Sequence, residues 1–265
     1  MKRLLVRRPS PRLADGELTH LERQPVDADL AQRQWEGYVA AFAERGWDVV
    51  EVEAVPEQSD GVFVEDAVIV FDDLAVLARA GAESRRGERA GAEAAARSLG
   101  LRVHAVEAPG TLDGGDVLKI GRRVYVGRTA RTNDAGIAQL RAVLEPAGRE
   151  VVVVPVTTAL HLKSAVTALP DGTVIGHSSL VEAPGAFPAF RPVPEVTGTA
   201  VVVLDPGTVL MSASAPETAQ QWRDAGLEVV TVDITEFEKL EGCVTCLSVR
   251  VRAGVAELAS DQPRD

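Results

Sequence analysis

Both cysteines of this chain lie in one stretch near its end, Glu241-Gly242-Cys243-Val244-Thr245-Cys246-Leu247-Ser248-Val249-Arg250. A thiolate is intrinsically the most nucleophilic group a side chain offers, so a thiol fixed at the edge of a cavity is a candidate for covalent catalysis. Leu247, Val249 and Val251 alternate after Cys246, and this period of two predicts a strand over residues 245–252. The ordinary reading of Cys243 and Cys246 is two small buried apolar residues. A C-x-x-C redox pair normally opens a helix after an early strand, whereas this one enters a late strand. With no second C-x-x-C in the chain, a four-thiolate zinc site is excluded.

Four other clusters hold groups that could act with a thiol. Asp60-Gly61-Val62-Phe63-Val64-Glu65-Asp66 sets carboxylates on both sides of an apolar centre, directly before a strand. Taken alone it reads as a solvated turn. Ala80-Gly81-Ala82-Glu83-Ser84-Arg85-Arg86-Gly87-Glu88 is charged and reads as a surface loop. Gly110-Thr111-Leu112-Asp113-Gly114-Gly115-Asp116-Val117 suits a tight turn into a strand, and its carboxylates could orient a histidine. In Ala159-Leu160-His161-Leu162-Lys163-Ser164 a histidine sits between leucines, which more often marks a satisfied core residue than a catalyst.

The elements that must position these clusters repeat. Strand-type runs occur at 3–7, 48–52, 67–71, 102–106, 124–127, 151–156, 174–177, 200–204, 209–212, 228–232 and 245–252. Helical patterns fall at 28–45, 86–99, 133–146, 215–225 and, briefly, 234–240. Leu30, Trp35, Tyr38, Val39 and Phe42 give the first of these a period close to 3.6. Gly46, Gly100, Gly148 and Gly226 stand where the four long helices should stop. The unit "helix, glycine, strand" thus recurs, with a fifth and less regular copy over 240–249. Five strand-rich units with one helix each predict a quasi-symmetric α/β arrangement rather than a doubly wound sheet. No linker divides the chain, so residues 1–253 read as a single domain and 254–265 as a frayed tail.

The chain has 265 residues, 46% of them apolar, and a formal net charge of −11. That charge argues against nucleic acid and suits a small cationic substrate. Only Leu4-Leu5-Val6 follows the basic start, too short for a signal peptide core, and no apolar run approaches a membrane span. Two cysteines without an export signal point to the cytoplasm. A homodimer is left open.

Taken together, the strings FVED, GAESRRGE, GTLDGGDV, RTN, LHLKS and TC-x-S-V, in this order between about residues 60 and 250, closely resemble the dimethylarginine dimethylaminohydrolases of the guanidine-modifying (pentein) superfamily. The resemblance implies a five-bladed α/β propeller of ββαβ units around a central channel. It implies Cys246 as nucleophile, His161 as general acid/base and Asp113 as the carboxylate that orients it. Asp60 and Asp66, with Glu65 beside them, would grip the guanidinium. Arg85 and Arg131 would clamp the substrate's α-carboxylate, and Leu240 and Leu18 would meet its α-amino end through backbone carbonyls. No cofactor and no metal are implied.

The chemistry suits these residue types. A guanidinium is a resonance-stabilised cation; carboxylates fix its plane and offset the cost of burying its charge, so that a thiolate can attack its central carbon. Cys243 departs from the family pattern. Strand geometry would point residues three apart to opposite faces, so no 243–246 disulfide is expected. The lid region, residues 13–26, matches only loosely. His104 and His177 read as strand residues and His20 as part of the lid. The competing readings are an arginine deiminase, an amidinotransferase or a catalytically silent arginine-binding protein. The first two resemble longer chains, and the third has no use for a nucleophile.

Overall fold

Short strands rich in Val, Leu and Ile can be stable only if both faces are covered, and this chain achieves that by a ring of small sheets. The computed structural model describes residues 2–252, so the tail expected at 254–265 lies outside the described residues. In chain order the elements are β1 (Lys2–Val6), α1 (Ala28–Ala43), β2 (Asp48–Glu51), β3 (Val68–Phe71), β4 (Leu74–Leu77), α2 (Arg89–Ser98) and β5 (Arg102–Ala105). There follow β6 (Val117–Ile120), β7 (Arg123–Arg128), α3 (Asp134–Leu144), β8 (Glu150–Pro155), the single turn α4 (Leu162–Ala165), β9 (Val166–Ala168), β10 (Val174–Gly176) and β11 (Phe190–Pro192). The last are β12 (Val201–Asp205), β13 (Thr208–Ser212), α5 (Pro216–Asp224), β14 (Glu228–Val232), the single turn α6 (Thr235–Glu238) and β15 (Val249–Arg252).

The strands form five three-stranded sheets, ordered β15-β1-β2, β3-β4-β5, β6-β7-β8, β9-β10-β11 and β12-β13-β14. In every sheet the inner strand pairs antiparallel with the middle one, which pairs parallel with the outer one. The protein is therefore a five-bladed α/β propeller, as expected. The blade that holds β1 takes its inner strand from the far end of the chain, with Lys2 opposite Arg252 and Leu5 opposite Val249.

The apolar core divides accordingly. Five clusters of buried residues each lie between one blade and the next. In β3, Val68 and Val70 face one cluster while Ile69 and Phe71 face its neighbour, so a period of two buries both faces. Asp27 caps α1 by accepting from the Leu30 N–H, and the helix buries Trp35, Tyr38 and Phe42 against β1 and β12. The helices after which Gly46, Gly100, Gly148 and Gly226 stand do end there, with φ of 74°, 75°, 79° and 89°.

Two expectations need correcting. The fifth helix-bearing unit is not at 240–249. The remaining blade is β9-β10-β11, whose strands have three residues each and whose connection carries only a 3-10 turn, Pro184–Ala186, in place of a helix. The final strand starts at Val249 rather than at 245. Residues 243–246 instead form a turn, closed by the Cys246 N–H donating to the Cys243 carbonyl at 3.1 Å.

Candidate active site

The Cys246 turn is held from several sides. Tyr38, fully buried in α1, donates to the Val244 carbonyl at 2.8 Å and shares a 2.7 Å hydrogen bond with Ser248. The Thr245 hydroxyl donates to Glu65 Oε2 at 2.8 Å, and the Glu65 N–H donates to the Cys246 carbonyl at 3.3 Å. The turn also overturns the expected separation of the thiols, since it folds Cys243 back and leaves the two sulfurs 3.4 Å apart. Their shared hydrogen bond, then burial and the nearby carboxylates, push the Cys246 thiol well up from its ordinary range. The same bond draws Cys243 down to about 7.

His161 stands at the N-terminal end of α4, on a different blade. Its Nε2 lies 3.1 Å from Asp113 Oδ2 and its Nδ1 3.9 Å from Asp66 Oδ1. Burial alone would push the imidazole down, but Asp66, the hydrogen bond to Asp113 and the charge of Asp116 outweigh it and raise His161 to about 9. Burial also opposes the charged form of Asp66, yet His161 and Arg85 bring it down to about 2. The Gly-Gly step in the Asp113 string is a matter of space: a Cβ on Gly115 would fall 2.6 Å from His161 Nδ1, and one on Gly114 1.9 Å from the Glu65 carbonyl. Asp113 itself is fully buried, its second oxygen accepting from the Gly81 N–H at 2.9 Å.

Of the residues singled out in the sequence, Cys246, His161, Asp60, Asp66, Arg85, Arg131 and Leu240 line one enclosed cavity of about 20 Å³. Asp113 lies behind His161. Arg85 has its guanidinium engaged by Asp66 at 2.8 Å and Glu88 at 2.9 Å, and by the Asp60 and Phe63 carbonyls. Glu65 does not line this cavity. Its carboxylate points to the propeller axis, 2.6 Å from Lys163 Nζ and 3.1 Å from Arg250 Nη2, in a separate channel of about 1150 Å³ walled by all five inner strands. Leu18 packs against the core beside α1 and does not line the cavity either.

Three further residues contribute, and two of them, Glu241 and Glu17, escaped the sequence reading. Asp116 Oδ1 accepts the Leu162 N–H at 2.9 Å and Oδ2 the Thr129 hydroxyl at 2.7 Å, which fixes the turn bearing His161. The sequence offered it, together with Asp113, as a carboxylate that could orient a histidine, but not as the anchor of this turn. Glu241 has φ of 60° and gathers the N–H groups of Thr19, His20 and Leu21 on its carboxylate, closing the lid over the cavity. Glu17, in the loosely matching lid, lines the cavity itself. Among the described residues no group of three or more His, Cys, Asp or Glu side chains could hold a metal ion. No helix there is long and apolar enough to cross a membrane.

This chain is 61% identical over 251 residues to the N(G),N(G)-dimethylarginine dimethylaminohydrolase of Streptomyces coelicolor, covering 95% of this chain and 97% of that one. It is 33% identical to the protein of the same name from Pseudomonas aeruginosa, over 94% of this chain and 99% of the other. A crystal structure of the Pseudomonas aeruginosa enzyme, as a cysteine-to-serine variant complexed with citrulline, superposes with a TM-score of 0.86 at 32% identity, covering 94% of this chain and 98% of that one. No protein-family model matches the chain. A cysteine-bearing turn, an acid-paired histidine and a carboxylate-lined cavity inside a five-bladed propeller agree with these similarities, and the chain belongs to the dimethylarginine dimethylaminohydrolase family.

Proposed function

We propose that the protein hydrolyses Nω-methylated arginines to citrulline, releasing dimethylamine or methylamine. The observation that carries this reading is the meeting of Cys246, an imidazole raised to about 9, and the carboxylates of Asp60 and Asp66 in one closed cavity. The two carboxylates hold the guanidinium and leave its central carbon facing Cys246. With the thiol pushed up by its surroundings, the arriving cation supplies the field that ionises it, and its proton passes to solvent. The Cys246 sulfur bonds to the guanidinium carbon, and the carbon–nitrogen bond to the methylated amine breaks as His161 gives that amine its proton. A water then attacks the S-alkylthiouronium carbon and returns a proton to His161. The carbon–sulfur bond breaks as the added hydroxyl gives its proton to the departing sulfur, leaving the ureido group of citrulline and the Cys246 thiol.

Asp113 keeps the imidazole charged and oriented for both transfers. Arg131 takes the α-carboxylate, with Arg85 as a fixed cation in the same wall, and the carbonyl of Leu240 meets the α-amino group. Glu65 serves from behind, tying the Cys246 turn to Lys163, two residues past His161. Its two thiols, both free, suit a reducing cytoplasm.

The test is a product assay with asymmetric dimethylarginine, monomethylarginine and arginine supplied separately. Citrulline from the methylated substrates and not from arginine supports the reading. Citrulline from arginine alone makes the protein a deiminase, and no turnover of any of them refutes it. A Cys246→Ala variant that binds ligand without turnover separates the enzyme from a silent binder.

A further inference from the structure

The lid reaches into the cavity through one residue that occupies recognition groups at both of its ends. Glu17 Oε2 lies 3.1 Å from Arg131 Nη2, while the Glu17 backbone N–H donates to Asp60 Oδ2 at 3.1 Å. The Ser84 hydroxyl donates to the other carboxylate oxygen of Glu17, and Arg131 Nη2 also donates to the Thr19 hydroxyl at 3.4 Å. The cation is the built-in member of the pair: the Arg131 side chain is 11% exposed against 37% for Glu17. The backbone of Arg131 is pinned against Gly81, where a Cβ would fall 2.4 Å from the Arg131 carbonyl oxygen. A cavity of about 20 Å³ has room for about one water. A substrate the size of arginine therefore enters only as Glu17 leaves.

We infer that Glu17 sets the specificity of this site for substrates carrying an α-carboxylate, because its own carboxylate holds Arg131 and is exchanged for that of the substrate. The inference rests on the reading that Arg131 receives the α-carboxylate. A ligand with a guanidinium at one end and a carboxylate at the other displaces Glu17 from Asp60 and from Arg131 together. A guanidine without the carboxylate frees Asp60 but leaves the Glu17 side chain on Arg131 and the lid half held. Charge at Arg131 is conserved in the exchange, so the cost of binding an amino-acid substrate is the lost Glu17 pair. Citrulline carries the same carboxylate and meets the same competitor, which favours its release.

The experiment compares the wild-type protein with Glu17→Gln and Arg131→Gln. The substrates are NG-methylarginine and its decarboxylated analogue, and citrulline is the competitive inhibitor. Removing the internal carboxylate should lower KM for NG-methylarginine by about two- to five-fold, the range of a half-exposed ion pair. The inhibition constant of citrulline should fall by the same factor, and KM for the decarboxylated analogue should move less. Arg131→Gln should raise KM for NG-methylarginine far more than for the analogue. If it does so while Glu17→Gln raises or leaves unmoved both KM and the citrulline constant, Glu17 is not the competitor and the inference is overturned. If Arg131→Gln affects both substrates alike, the assignment of the carboxylate to Arg131 falls first and the inference with it.

Discussion

Replacing Asp113 with Asn changes one atom and should move the pH dependence of the reaction. Both oxygens of the Asp113 carboxylate are in use, one accepting from the Gly81 N–H at 2.9 Å and the other facing His161 Nε2 at 3.1 Å. An amide offers a single oxygen. With that oxygen on Gly81, its NH₂ group faces Nε2, which then has to accept and cannot carry a proton. Loss of the adjacent charge by itself lowers a histidine by about 1–3 pH units, and the reversed hydrogen bond acts in the same direction. His161 would fall from about 9 to between about 6 and 8. At pH 8 its protonated fraction then drops from about nine-tenths to between about one-half and one-hundredth, so turnover there falls about two- to hundred-fold. The assay is kcat against pH for dimethylarginine, with an imidazole titration by NMR on the same variant and far-UV circular dichroism to confirm folding. The wild-type alkaline limb should lie near 9, and Asp113→Glu, which restores two acceptors, should keep its limb well above that of Asp113→Asn. An Asp113→Asn enzyme whose alkaline limb coincides with the wild type would refute the role given to this carboxylate.

The same shift carries a stability signature. Since His161 titrates at about 9 when folded and at its ordinary 6.5 when unfolded, its contribution of about 3 kcal/mol is complete below 6.5 and is lost as pH rises through 9. Urea midpoints between pH 6 and 10 should show that decline, and His161→Gln should flatten it. Peroxide should join Cys243 to Cys246, the two thiols being oxidised to a disulfide as peroxide is reduced to water. The sulfurs are 3.4 Å apart in a turn whose Cα atoms fall within about 7 Å, a span a disulfide tolerates. Peptide mapping should find the linkage, a thiol reductant should restore activity, and Cys243→Ala should be inactivated without that recovery. Lys163→Met should cost about 3–5 kcal/mol in thermal or urea unfolding, because it removes a cation 2.6 Å from the buried Glu65 carboxylate. Loss of less than about 1 kcal/mol would mean that Arg250 and Thr245 satisfy Glu65 alone.

The blades that could be read in the sequence are those whose helices end on a glycine in the left-handed region, because that conformation selects a residue type and leaves a letter behind. The β9-β10-β11 blade left no such letter. Three-residue strands are too short to show a period, and its 3-10 connection needs no cap. In the site, Cys246, His161, Asp60 and Asp66 could be found because each sits in a distinctive string. Glu65 was misplaced for a local reason: it adjoins Asp66 on a 3-10 turn, Val64–Asp66, where neighbouring side chains diverge, one to the cavity and one to the axis. The Cys243 contact was hidden by reading alternation as strand when the backbone makes a turn first. Glu241 acts across more than two hundred residues of chain and Glu17 across more than one hundred, pairings that no local pattern encodes.

Pairing β1 with β15 means that the ring is sealed by a strand made long after the one it covers, with Leu5 opposite Val249. At about 5–20 residues per second, Leu4, Leu5 and Val6 wait on the order of ten seconds or more for the strand that covers their open edge. Throughout that interval the nascent chain presents an unpaired apolar edge of the kind that recruits chaperones or other chains. Cys246 lies just ahead of the sealing strand, so the turn that carries it and the closure of the ring arrive together.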